Sequence, residues 1–333
     1  HVDAGFPDAV IGDFTALDQH RFVLIERDDD QGAAVAIQGD GKIVATGTVF
    51  GVFDFALARY NSDGSLDSAF DADGKVTTDF GSNDQAFAVA IQADGKIVTA
   101  GTAVVSTFDF ALARYNPDGS LDPTFDGDGR VTTDFLAVTD DQAFGVAIQA
   151  DGKIVTAGFA AFPDGGNFAL ARYNADGSLD PTFDGDGRVI TDFFGDFDQA
   201  LAVAIQGDGK IVAAGQSSTS TGTVDFALAR YNPDGSLDPV FGGGRVTTDF
   251  AGAGDQAFGA AIQGDGKIVA SGFAFVSATR DFALVRYNPD SSLDPTFDGD
   301  GRVTTDFAGG NDEAAALAIQ ADAKIVAGGF AIV

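Results

Sequence analysis

Residues 84–98 read Asp84-Gln85-Ala86-Phe87-Ala88-Val89-Ala90-Ile91-Gln92-Ala93-Asp94-Gly95-Lys96-Ile97-Val98. Large and small residues alternate over 86–91, the period of a strand whose two faces meet different surroundings. Phe87, Val89 and Ile91 share one face, and the other carries only alanine. An alanine face suits an inner strand against which neighbouring sheets crowd. Asp94-Gly95 then supplies a tight turn, because glycine takes positive φ without steric cost. A second apolar run begins at Lys96, so the stretch predicts a β-hairpin.

Outward from this hairpin, the chain repeats itself. The segment Gln-Gly/Ala-Asp-Gly-Lys-Ile-Val begins at Gln38, Gln92, Gln149, Gln206, Gln263 and Gln320, with Ala323 replacing glycine in the last copy. The steps are 54 residues once and 57 thereafter. Phe-Ala-Leu-Ala/Val-Arg-Tyr-Asn starts at Phe55, Phe110, Phe168, Phe226 and Phe282. Arg/Lys-Val-Thr/Ile-Thr-Asp-Phe starts at Lys75, Arg130, Arg188, Arg245 and Arg302. Each unit thus holds four short runs: in the second unit, A (86–91), B (96–100), C (110–115) and D (130–135). Gly, Asp, Asn and Pro clusters separate them, which is the signature of successive strands. Four antiparallel strands in a unit of this length match a β-propeller blade. The expectation is an all-β, six-bladed β-propeller forming one domain over 1–333. Its repeats fall at about 30–80, 81–135, 136–193, 194–250, 251–307 and 308–333.

The two ends fit this unit unevenly. The sixth copy supplies run A (314–319) and run B (324–327), without runs C and D. Counted back from Asp30-Gln31, His20–Ile25 falls in the run D place and Ala9–Phe14 in the run C place. A sixth blade closed by two N-terminal plus two C-terminal strands is therefore expected, which removes an exposed sheet edge. Strand exchange between chains would satisfy the same complementarity and give a polymer.

Residues 84–98, followed by Phe110-Ala111-Leu112-Ala113-Arg114-Tyr115-Asn116-Pro117-Asp118-Gly119-Ser120-Leu121-Asp122, resemble the bacterial delta-60 repeat family. The resemblance covers about 30–330, and residues 1–29 depart from it. It implies a β-propeller-type repeat in a secreted or surface protein, and it carries over no catalytic residues.

Composition narrows the classes further. Fifty acidic residues against nineteen basic ones give a net charge of −31, and only Glu26 and Glu313 are Glu. Asp is a poor helix former and a good turn residue. Such charge repels nucleic acid and anionic membrane surfaces and favours cations and basic partners. No run of apolar residues is long enough for a membrane-spanning helix, so no membrane insertion is expected. Cys is absent, which excludes disulfides and thiolate metal sites. Met is absent too, so a chain opening at His1 is expected to be a processed or trimmed product. The lack of Cys, Met and Trp suits an extracellular or cell-surface location.

In an antiparallel blade the A–B and C–D connections emerge on one face of the disc, and the B–C and D–A connections on the other. The first face is acidic. Its C–D connections carry Asp118, Asp122, Asp126 and Asp128, then Asp176, Asp180, Asp184 and Asp186, then Asp290, Asp294, Asp298 and Asp300. Carboxylates beside glycines and free carbonyls suit Ca²⁺, which takes about six to eight oxygens. The same residues also make ordinary turns through local Asp hydrogen bonds. On the second face, Asp30, Asp84, Asp141, Asp198, Asp255 and Asp312 open run A in the six copies. They predict an acid ring at the channel mouth, unless each bonds its own loop. The variable B–C loops place Phe50, Val104, Val105, Phe159, Phe162, Phe273 and Phe275 where a partner would contact them, against core packing as the other account. Arg59, Arg114, Arg172, Arg230 and Arg286 of run C are expected to pair with Asp79, Asp134, Asp192, Asp249 and Asp306 of run D. Tyr60, Tyr115, Tyr173, Tyr231 and Tyr287 are expected to pack between blades.

Catalysis is not expected. The two histidines, His1 and His20, lie outside the repeat, and there is no Cys nucleophile, Gly-x-Ser-x-Gly elbow or phosphate loop. Carboxylates repeated in nearly every unit do not make the one asymmetric site that glycoside hydrolysis needs. The sequence points to a non-catalytic secreted or cell-surface subunit that self-associates into a filament or layer. The alternative is an extracellular binding module for a surface protein or glycan.

Overall fold

The structure, a computed structural model, describes residues 25–27, 30–49, 51–137, 139–163, 165–218, 222–250, 252 and 254–332. The alternating runs form strands throughout. The first sheet is β1 (Ile25–Arg27), β2 (Asp30–Ile37), β3 (Ile43–Val49), β4 (Asp54–Tyr60) and β5 (Lys75–Thr78). The second is β6 (Asp84–Ile91), β7 (Ile97–Val104), β8 (Phe108–Tyr115) and β9 (Arg130–Thr133), and the third is β10 (Asp141–Ile148), β11 (Ile154–Phe162), β12 (Gly165–Tyr173) and β13 (Arg188–Thr191). The fourth is β14 (Asp198–Ile205), β15 (Ile211–Ser218), β16 (Val224–Tyr231) and β17 (Arg245–Thr248). The fifth is β18 (Gln256–Ile262), β19 (Ile268–Val276), β20 (Thr279–Tyr287) and β21 (Arg302–Thr305). The sixth has β22 (Asp312–Ile319) and β23 (Ile325–Ala331) alone among the described residues. Among the described residues every strand pairing is antiparallel. Among the described residues, no helix is long and apolar enough to cross a membrane.

The six innermost strands line one central cavity of about 290 Å³, to which Ala34, Ala88, Gly145, Ala202, Gly259 and Leu317 contribute. Small residues are needed there because the strands converge. A Cβ added at Gly145 would lie 3.1 Å from the Val203 amide of the next inner strand. The alanine face of 86–91 is buried as expected.

The alternation is interrupted once in each inner strand. Register shifts between Gly32 and Ala34, Ala86 and Ala88, Ala143 and Gly145, Ala200 and Ala202, and Ala257 and Gly259 mark β-bulges. A bulge leaves one residue unpaired and re-aims its side chain; here that residue is Phe87, Phe144, Leu201 or Phe258 in the second to fifth sheets. The bulge also drives backbone against the facing strand, which holds glycine at Gly101, Gly158, Gly215 and Gly272.

Each hydrophobic core lies between two neighbouring sheets. Phe110 and Leu112 of the second pack with Ile154 and Tyr173 of the third. Tyr173 donates a 2.8 Å hydrogen bond to Thr133 of the preceding sheet, Tyr231 does so to Thr191, and Tyr115 and Thr78 pair at 2.7 Å. The recurring tyrosine therefore packs between sheets and ties them together.

Three expectations are corrected. The C strand and D strand of the second sheet pair from Ala113–Arg130 to Phe110–Thr133, so Arg114 and Asp134 lie at opposite ends of the ladder and cannot meet. The same register separates the other predicted Arg–Asp pairs. Second, the D strand stops at Thr133, because Asp134 turns out of the ladder. Third, Ile25 does not lie on an outer strand. It sits on β1, which pairs with the inner strand β2 through Ile25–Gly32 and Arg27–Asp30. Segments two residues apart in sequence pair at far lower entropic cost than segments at opposite ends of the chain. Residues 9–14 and 20–24, the remainder of the proposed closing strands, lie outside the described residues.

Candidate functional site

The acidic C–D face is largely neutralised by its own repeat. Asp122 Oδ2 accepts a 2.8 Å bond from Arg114 Nε and lies 3.1 Å from Lys96 Nζ, while its Oδ1 accepts from the amide and hydroxyl of Thr124. The arrangement recurs with Asp67, Asp180 and Asp294, each held by the run C arginine and the Asp-Gly-Lys lysine. Burial opposes ionisation of Asp122, but Thr124, Lys96 and the Arg114 charge outweigh it and hold the carboxyl down at about 2. Arg114 also lies over the Phe125 ring at 4.6 Å and donates to the Ala175 carbonyl of the next sheet.

The remaining C–D carboxylates serve their loops. Asp118, Asp176 and Asp290 each accept from the amide and hydroxyl of a serine two residues on. Asp128, Asp186 and Asp300 pair with Arg130, Arg188 and Arg302. Asp126, Asp184 and Asp298 take positive φ, near +50°. The structure brings none of these into a three-carboxylate group. The local-turn reading describes their hydrogen bonds.

Carboxylates converge elsewhere, at the seams between sheets. Asp54, Asp79 and Asp84 form one group, Asp109, Asp134 and Asp141 a second, Asp225, Asp249 and Asp255 a third, and Asp281, Asp306 and Asp312 a fourth. Within each group the ligand oxygens lie within 4.8 Å of one another. The first member lies within the opening three residues of the C strand and the second follows the D strand of one sheet. The third precedes or opens the inner strand of the next. Asn167 stands at the first position of the seam that also holds Asp192 and Asp198.

The predicted acid ring is corrected accordingly. Asp84, Asp141, Asp198, Asp255 and Asp312 are all 0% exposed, so they do not rim an open mouth. Each accepts a hydrogen bond from the amide of the preceding loop phenylalanine, 2.7 Å from Phe135 to Asp141 for instance. Burial, reinforced by Asp134 and Asp109, pushes Asp141 up to about 7 against the pull of that amide. Burial likewise pushes Asp198 and Asp255 up to about 6 and raises Asp84. The side chain of Asp30 lies outside the described residues.

The B–C loop patch is also corrected. Val105 is 63% exposed, but Phe273 is only 7% exposed, against Phe258 and Arg280. Phe159 packs on Phe144 and Phe197. Val104, Phe162 and Phe275 are half-buried, and Phe50 lies outside the described residues. Aromatic packing of the loops onto the bulges breaks up the patch. What the bulges create instead is a partly exposed aromatic contact, with Phe87 and Phe144 rings 5.1 Å apart.

Repeated four-stranded antiparallel sheets around one central cavity define a β-propeller. The chain belongs to the DUF5122 β-propeller family, a domain of unknown function, which matches residues 38–70, 92–125, 149–183, 206–241 and 263–297, together more than half of it. Among solved structures, a protein of unknown function from Dyadobacter fermentans is 11% identical, with a TM-score of 0.50 over 90% of each chain. The periplasmic gluconolactonase of Pseudomonas aeruginosa is 13% identical, with a TM-score of 0.50 over 92% of this chain and 90% of that one. At these identities the likeness is one of fold alone. No curated protein matches the chain.

Proposed function

We propose that this protein is a non-catalytic structural subunit built from delta-60-type repeats, working outside the cell or at its surface. Its six sheets form a six-bladed ring, and assembly occurs through the sixth. The observation that carries this reading is the open flank there. Val326, Phe330 and Ile332 are 40%, 40% and 55% exposed, and Phe307 on the adjoining sheet is 59% exposed. Thr305 is exposed as well, whereas Thr78, Thr133, Thr191 and Thr248 are buried under the tyrosine of the next sheet. Among the described residues β23 pairs with β22 alone, and a sheet edge carrying apolar side chains is a template for another strand. A strand supplied by the same chain would close it into a disc, and one supplied by a second copy would link discs into a filament. Light scattering over a concentration series, with negative-stain imaging, tests this. Concentration-dependent oligomers or fibres support it, and a monodisperse disc at every concentration and salt overturns assembly.

The bulge phenylalanines favour a second reading, a binding module for a glycan or protein. Aromatic rings re-aimed at one face offer apolar contact area at low entropic cost. A glycan array probed with the monomeric disc tests that reading.

A further inference from the structure

We propose that the seams between sheets are divalent-cation sites, taking Ca²⁺, in which each ion clamps one sheet to the next. Three carboxylates per seam, with no nitrogen or sulfur ligand, select a hard cation. Oxygens bound to one Ca²⁺ at about 2.3–2.6 Å stand up to about 5 Å from each other, and these lie within 4.8 Å. Acidic clustering is not the only observation. Oδ1 of Asp84, Asp141, Asp225 and Asp312, one atom in each group, is buried and has no hydrogen-bond partner, and Oδ1 of Asp198, in the seam where Asn167 leaves only two carboxylates, is orphaned in the same way. The parent residues are 0% exposed, or 8% for Asp225. A buried carboxylate oxygen left unpaired is costly; it recurs at every described seam, and at four of them two further carboxylates stand beside it to complete a cation site.

Among the described residues, nothing cationic fills that place at the second to fourth groups. Among the described residues, no Lys or Arg pairs with the carboxylates of the Asp109, Asp225 or Asp281 groups. Arg188 and Arg302, which approach these seams, donate to the backbone carbonyls of Asp134 and Asp249 instead. The geometry favours Ca²⁺ over Mg²⁺. Two oxygens of each seam sit on different sheets, and Mg²⁺ demands a tighter octahedron than two such bodies readily supply.

The chain carries its own control. The seam of Asp192 and Asp198 has Asn167 in place of the third carboxylate, so it should bind weakly or not at all. Calorimetric titration of CaCl₂ into the chelator-stripped full chain is expected to show one ion for each of the four described three-carboxylate seams. Asp134→Asn, on an exposed side chain, should lower the stoichiometry by one. Asn167→Asp should raise it by one, a gain that misfolding cannot imitate. Asp126→Asn, in a C–D loop, should leave it unchanged. Absence of binding at millimolar Ca²⁺ overturns the proposal, as does a stoichiometry that ignores the two seam substitutions or falls with the loop substitution.

Discussion

Gly158 faces the bulge at Phe144, and a Cβ built on it would lie 1.8 Å from the Gln142 carbonyl oxygen. The backbone of an inner hairpin cannot yield that much without losing its register. Gly158→Ala should therefore destabilise by about 1–3 kcal/mol, as overpacking does, read as a lower urea midpoint. Arg114 makes a different kind of demand. Replacing it with leucine leaves the buried Asp122 with Lys96 as its one cationic partner, and the loss should reach about 3 kcal/mol. Asp122→Asn with Arg114→Leu should recover part of it. The glycine and the arginine were both visible in the sequence as repeats, but their reasons were not. The bulge shifts one residue without altering composition, so the alternation of 86–91 shows an unbroken strand. The partner of Arg114 depends on where the D strand stops, which no residue count reveals.

Between neighbouring sheets, the bond that can be cut most cleanly is the one from Tyr231 to Thr191. Tyr231→Phe keeps the ring and strands the Thr191 hydroxyl in the core. It should cost about 1–2 kcal/mol, and Thr191→Val in the same chain should return much of that in a double-mutant cycle of thermal unfolding. The four runs of each unit, their turns and the crowding of tyrosine between blades were legible because they depend on local pattern. The aspartate seams were not, since each gathers residues from two units. Asp54, Asp109, Asp225 and Asp281 gave one neglected signal: an aspartate before Phe-Ala-Leu in four of five copies, with Asn167 as the exception.

The charge pattern of the ring sets its response to pH. The buried seam carboxyls hold their protons longer folded than unfolded. The stability they add is complete below about pH 4 and is lost as pH rises through about 6 for Asp198 and Asp255 and about 7 for Asp141. Asp122 acts oppositely: its contribution is present above about pH 4 and is lost as pH falls toward about 2. In chelator-treated protein the melting temperature should thus peak on the acid side, near pH 4–5, and decline toward neutrality. A flat profile from pH 4 to 7 would contradict this assignment.

The clasp between C–D loops gives the molecule a direction and one junction unlike the others. Asp71, Asp126 and Asp184 each donate their amide to the carbonyl of Asp118, Asp176 and Asp234 in the following sheet, at 2.7 Å. Arg59, Arg114 and Arg172 reach the same loops. The fourth unit shortens that loop to Phe241-Gly242-Gly243-Gly244, and among the described residues neither bond spans the junction to the fifth sheet. Under tension or thermal breathing, three clasped junctions and one without the clasp do not share strain equally. The junction between the fourth and fifth sheets rests instead on their shared core and on the Thr248–Tyr287 hydroxyl pair at 2.6 Å, so a pull on the C–D face meets fewer bonds there than at the three preceding junctions.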